Sequence, residues 1–128
     1  MTKIIEGLKY TEEHEWIALD GNIATIGITD FAQSSLGDIV FVELPAEGEE
    51  IEAGNSFGVV ESIKSVSDLY SPISGKVTEK NDTVEGTPEN INEDAFGAWL
   101  IKLEVHDTAA LDNLMDHTAY QEYCEANS

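Results

Sequence analysis

The 128-residue chain has no arginine, one cysteine, three prolines and no long apolar run. Without arginine, bidentate clamps on phosphate are unavailable. Six lysines stand against 26 aspartates and glutamates, a formal charge of −20. That excludes the basic footprint nucleic acid requires and makes an anionic membrane an unsuitable partner. A lone Cys124 excludes an internal disulfide and a cysteine-based zinc cluster. No apolar stretch reaches membrane-spanning length. Met1–Glu6 lacks the apolar segment of a signal peptide, and no arginine-rich transit sequence is present, so a bacterial-type cytoplasmic location is expected. The surface is strongly negative. Partners should be positively charged, and salt should weaken their association.

Strand signals fill the first hundred residues. Trp16–Leu19 and Ile23–Ile28 flank Asp20-Gly21, a tight-turn signal. Ile39–Val42 is a β-branched and aromatic run that ends before Pro45. Phe57–Ile63, Val66–Ser71, Gly75–Glu79 and Trp99–Val105 continue the series, mostly separated by turn residues. Many short strands at close spacing predict a mostly β sandwich or barrel. Thr29-Asp30 before Phe31–Leu36, with Gly37 after, reads as a capped short helix. Asp107 is placed to cap a helix bearing Leu111, Leu114 and Met115. Thr118 with Gln121 fits a capping box for a last helix, whose Tyr120, Tyr123 and Cys124 should face the sheet. Residues 81–98 read as a surface excursion with one helical turn near Pro88–Ile91. One domain over 1–128 is expected, with its core about 8–105 and a helical segment about 107–126.

Catalytic machinery is scarce. His14, His106 and His117 lack metal-pair spacing and read as surface or half-buried histidines. Cys124 sits in an apolar helical stripe and reads as a buried structural thiol. Asn81-Asp82 and Glu85 have part of a calcium loop's composition but not its spacing, so a solvated loop is expected. Carboxylates are so numerous that no acid/base pair stands out. Lys64 does not fit this background. It lies between two strong strand segments, with Lys64 and Ser65 as the turn if they pair. It is also the only lysine between Lys9 and Lys76. A hairpin tip leaves a side chain uncrowded, so Lys64 is either a solubilising lysine or a group presented for chemistry.

The flanks bear on that choice. Phe57-Gly-Val-Val-Glu-Ser-Ile-Lys64-Ser-Val-Ser-Asp-Leu-Tyr-Ser-Pro-Ile-Ser-Gly-Lys-Val77 resembles the lipoyl-lysine hairpin of the glycine cleavage system H protein family. Leu8–Tyr10, His14–Trp16, Thr25–Gln33, Leu36–Pro45, Pro88–Asn92, Trp99–Lys102, Leu111–Met115 and Tyr120–Cys124 are similar to the same family, in order along nearly the whole chain. The resemblance implies a flattened antiparallel barrel-sandwich hybrid of the lipoyl/biotinyl type with C-terminal helices. It implies lipoate in amide linkage to Lys64, with Glu61 and Gly75 read by the lipoyl-attachment enzyme. Glu15 and Asp68 would line the groove where a loaded arm rests. It further implies a non-catalytic carrier. That carrier takes an aminomethyl group from a pyridoxal-phosphate glycine decarboxylase to a tetrahydrofolate-dependent aminomethyltransferase, and dihydrolipoamide dehydrogenase reoxidises it. No metal is implied, and a monomer is expected. Asp94–Trp99 departs from the family pattern, being one residue shorter and holding Ala95 where proline is common. A lipoyl relay or store for other complexes, and a non-lipoylated interaction module on the same fold, stay open as alternatives.

Overall fold

The strand-rich segments pair into two antiparallel sheets. The computed structural model describes residues 4–105 and 107–127, so the expectation for His106 lies outside the described residues. In chain order the strands are β1 (Lys9–Tyr10), β2 (Glu15–Asp20), β3 (Ile23–Ile28), β4 (Ile39–Glu43), β5 (Glu50–Ile51), β6 (Ser56–Ser62), β7 (Val66–Tyr70), β8 (Gly75–Lys80) and β9 (Ile101–Val105). The larger sheet runs β1-β2-β3-β9-β8-β5 and the smaller β4-β6-β7; each keeps two edges, so neither closes into a barrel. Inward residues of both sheets, among them Ile17, Ile26, Leu103, Val42, Val60 and Leu69, merge into one apolar core. This is the mostly β architecture the strand spacing predicts.

The β2–β3 turn falls one residue later than the sequence suggests. Asp20 pairs with Ile23, so Gly21 and Asn22 form the loop. Gly21 has φ 63 and supplies the left-handed step at the first loop position, where glycine is least strained.

Helix α1 (Asp30–Leu36) follows the expected signals. Thr29 Oγ1 accepts from Ala32 N–H at 3.2 Å, and the N–H of Gly37 donates to Gln33 O at 2.9 Å. Residues 81–98 are more than a surface excursion. They form α2 (Asp82–Gly86) and α3 (Asn90–Glu93), which bury Val84 and Ile91 in the core. Asn81 caps α2, and Glu85 pairs with Lys80 at 3.0 Å and accepts from Leu44 N–H at 3.1 Å. Those oxygens are engaged in holding the fold. Asp107 caps a 3₁₀ turn, Thr108–Asn113, in place of the expected helix; Leu111 is buried there. Met115 leaves that face to exchange backbone hydrogen bonds with Tyr10. The last helix, α4 (His117–Asn127), is capped by Asp116, whose Oδ1 accepts from Ala119 N–H at 2.8 Å, and not by Thr118. Tyr120 and Cys124 are buried beside Tyr10 and Trp16, as their spacing predicts.

Gly58 lies in β6 against the backbone of Glu43 and Leu44 at the end of β4. A Cβ there would meet the backbone carbonyl oxygen of Glu43, which no rotamer change relieves. Gly58→Ala should cost about 1–3 kcal/mol, the usual range for overpacking. Urea denaturation checks this, and an unchanged midpoint would contradict it.

Candidate functional site

Strands β6 and β7 form the hairpin expected around Lys64, with Gly58 opposite Leu69, Val60 opposite Ser67 and Glu61 opposite Val66. The turn runs from Ser62 to Ser65, so Ile63 and Lys64 are its tip, one residue earlier than Lys64-Ser65. Ser62 organises it. Its N–H donates to Ser65 O at 2.8 Å. Its Oγ accepts from Ser65 N–H at 3.1 Å and from Lys64 N–H at 3.3 Å. A short hydroxyl side chain that binds backbone groups two and three residues on is a standard turn-former. The Lys64 side chain is exposed and takes part in no ion pair among the described residues.

The tip is anchored from behind. The N–H of Ile63 donates to Asp38 O at 3.0 Å. Gly37, with φ 80, lies under the lysine stem; a Cβ there would stand 3.4 Å from Lys64 Cε. Asn92 of α3 fixes this corner through one amide. Its Nδ2 donates to Gly37 O at 2.9 Å and to Gln33 Oε1 at 3.0 Å, and its Oδ1 accepts from Ile39 N–H at 2.8 Å. Sequence reasoning misses this role. One of three asparagines in a turn-rich segment, it gives no sign of that role beyond its place in Pro88–Asn92.

A groove of about 180 Å³ opens on the inward side of the hairpin, walled by Leu36, Val60, Ser67, Asp68, Ile28 and Glu15. It borders a larger cavity of about 480 Å³ that shares Glu13 and Glu15. Glu15 is 2% exposed. A turn aims it inward: His14 N–H donates to Thr11 O and Thr11 N–H to Glu15 O, both at 3.0 Å, with His14 at φ 66. The ring of His14 stacks on Phe31 at 4.4 Å and bonds through Nδ1 to Tyr120 Oη at 2.8 Å, which fixes that strained step against α4. Burial also lowers the His14 pKa, against the opposing pull of Glu13. Glu15 Oε2 accepts from Tyr70 N–H at 2.9 Å, and Oε1 accepts from Thr11 Oγ1 at 3.2 Å. Burial pushes the carboxyl up to about 7, against those two hydrogen bonds and with help from the charge of Glu13.

The structure thus brings Glu15 and Asp68 to one groove. It sets Glu61 on the hairpin, between Phe41 and Val66. Gly75 lies elsewhere, in the larger sheet opposite Val105, where a Cβ would come within 2.6 Å of Glu104 O. That close approach gives glycine a packing reason at this position, separate from the hairpin. Among the described residues, no cluster of three or more His, Cys, Asp or Glu side chains has the geometry to hold a metal, and no helix is long and apolar enough to cross a membrane.

Two small antiparallel sheets with a lysine at a hairpin tip define a lipoyl-domain-like fold. The family model of the glycine cleavage H-protein matches residues 8–127. The chain is 56% identical to the glycine cleavage system H protein of Carboxydothermus hydrogenoformans over 98% of this chain and 97% of that one. It is 53% identical to the protein of the same name from Alkaliphilus oremlandii, over 96% and 97%. The crystal structure of a glycine cleavage system H protein from Mycobacterium marinum superimposes with a TM-score of 0.84 at 39% identity, covering 97% of this chain and 98% of that one. The chain belongs to the glycine cleavage H-protein family.

The buried carboxyl makes stability depend on pH. Folded Glu15 keeps its proton to about pH 7, whereas the ordinary value is 4.5. The native state therefore binds the extra proton between those limits. Its contribution is complete below about 4.5 and declines as pH rises through 7. Glu15→Gln, whose amide can accept from Tyr70 N–H and donate to Thr11 Oγ1, should remove that decline. Urea midpoints at about pH 4 and about pH 8, on either side of that window, test this; an unchanged difference would show that Glu15 is not the titrating group.

Proposed function

We propose that Lys64 is the attachment point for lipoate in a carrier of the glycine cleavage system. Family membership carries the role, and the exposed, unpaired lysine on a rigid tip supports the position. Acylating Nζ removes one positive charge and extends the stem. About a dozen bonds then give a reach on the order of 15 Å from Cα. The bound group supplies a redox-active disulfide that accepts the aminomethyl unit. Everything else falls to the protein. Ser62 and Asp38 hold the base of the arm still, Gly37 leaves room for the stem to lie toward the groove, and Leu36 and Val60 offer it an apolar wall.

Glu15 and Asp68 have the chemistry to receive a cationic amine in that groove. Glu15 is neutral when alone at mildly acidic pH, so the groove has little standing cost of buried charge. An approaching ammonium would favour its ionised form. Glu61, half-buried beside the tip, is offered as the acid read by the lipoyl-attachment enzyme. Gly75 is offered with it as the second residue that enzyme reads, and it also lets β8 pack closely against β9. Partners are other components of the glycine cleavage system: the decarboxylase that loads the arm, the aminomethyltransferase that unloads it and the dehydrogenase that reoxidises it. The bond-making groups belong to those enzymes.

Intact mass after expression with lipoate and the attachment enzyme should show a lipoyl-sized gain in wild type and none in Lys64→Ala. The modified protein should support glycine–bicarbonate exchange with the decarboxylase. No gain under replete conditions would leave an unlipoylated interaction module, and a gain without exchange would point to lipoyl relay. In a second experiment, Glu15→Gln with Asp68→Asn should shorten the lifetime of the loaded carrier by about tenfold, one ion-pair contribution of roughly 1.4 kcal/mol. An unchanged lifetime would remove both residues from that role.

A further inference from the structure

Among the described residues, all of the exposed large apolar side chains but Leu19 of β2 lie on or beside the small sheet. Val40 is 57% exposed, Phe41 43%, Ile63 70% and Val66 65%. All four lie on or beside the small sheet. Ladder register explains why. Phe41, Glu61 and Val66 form one cross-strand row, and Glu43, Val59 and Asp68 the next. Strand alternation turns these rows away from Val60, Ser67 and Leu69, which face the groove. A bulge between Ile39 and Phe41 puts Val40 on the same outward side as Phe41. The result is an apolar patch beside the tip, with Glu61 between Phe41 and Val66 and with Glu43 and Asp68 along its side. None of the three strands contains a lysine. Once Lys64 is acylated, its charge is gone too.

We propose that this outward side of the β4-β6-β7 sheet is the docking surface for the enzyme that loads the arm, whose matching surface is apolar at its centre and carries lysine or arginine at its rim. The inference rests on the carrier reading of Lys64. Charge complementarity selects the rim: Glu43 and Asp68, with no lysine in the three strands, call for a basic partner. The apolar row selects the centre, because aromatic and aliphatic anchors that shed water dominate such contacts. Position selects the loading enzyme. A protein seated here is within reach of the arm yet leaves the groove on the opposite side of the hairpin open, so the arm can withdraw there once loaded. Asp68, on the edge strand, borders both.

The test uses lipoylated protein and the glycine decarboxylase. Phe41→Ser with Val66→Ser should raise KM for the carrier in glycine–bicarbonate exchange about tenfold, as expected for losing two interface anchors, with kcat within about twofold. Glu43→Gln should flatten the salt dependence of KM. Leu19→Ser, an exposed apolar change on β2, should alter neither. Unchanged KM in the double variant, with normal lipoylation and thermal midpoint, would overturn the proposal. A separate arm removes dependence on the lipoyl group. Lys64→Ala protein, which cannot carry it, should still bind the decarboxylase in a fluorescence anisotropy titration, and Phe41→Ser with Val66→Ser in that background should weaken binding by a similar factor. No binding by Lys64→Ala, or binding indifferent to the two substitutions, would refute the docking surface. A missing mass gain in wild type would refute the carrier reading alone.

Discussion

Ser62 closes the β6–β7 hairpin by taking the N–H groups of Lys64 and Ser65 on one hydroxyl and giving its own N–H to the Ser65 carbonyl. Register along both strands follows from that closure. It sets Val60 and Leu69 inward, Glu61 and Val66 outward, and Lys64 at the tip. A slip of one residue would invert those sides and bury the acids. The side chain that carries the chemistry thus owes its exposure to a neighbour that takes no part in it.

The same economy appears behind the tip. Asn92 uses its one amide on Gly37, Gln33 and Ile39, and so joins α3, α1 and β4 at the corner that supports the lysine stem. His14 accepts a left-handed backbone so that Glu15 can turn inward, and α4 stabilises that step through Tyr120. Tyr120 Oη also lies 2.7 Å from Thr29 Oγ1, the cap of α1. The C-terminal helix is therefore coupled to both walls of the groove.

What can be read from the sequence divides along physical lines. The β-branched runs and the capped α1 are legible because their signals are local. The mostly β class follows from strand density. Strand propensity sets the tip one residue late because it cannot say which serine hydroxyl will close a turn. Residues 81–98 read as a surface excursion with one helical turn near Pro88–Ile91, where α3 forms; α2 and the burial of Val84 and Ile91 are missed because single apolar residues in very short helices show no period. The capping-box pattern points to Thr118, whereas Asp116, two residues earlier, holds the end of α4. Lys64 stands out by contrast with its surroundings. Glu15 does not, since composition treats a glutamate as solvent-facing, and only family resemblance points to it.

Strand β7 is an edge of its sheet, and an edge offers unpaired N–H groups to any passing extended chain. Here one such donor, on Tyr70, is already claimed by a carboxylate from the opposite sheet. A side chain aimed at the groove is also a guard against strand addition from another molecule. In so acidic a protein, with an apolar patch on that same small sheet, solubility then depends on two separate defences: long-range repulsion between copies, and a border where hydrogen bonding is partly spent within the molecule.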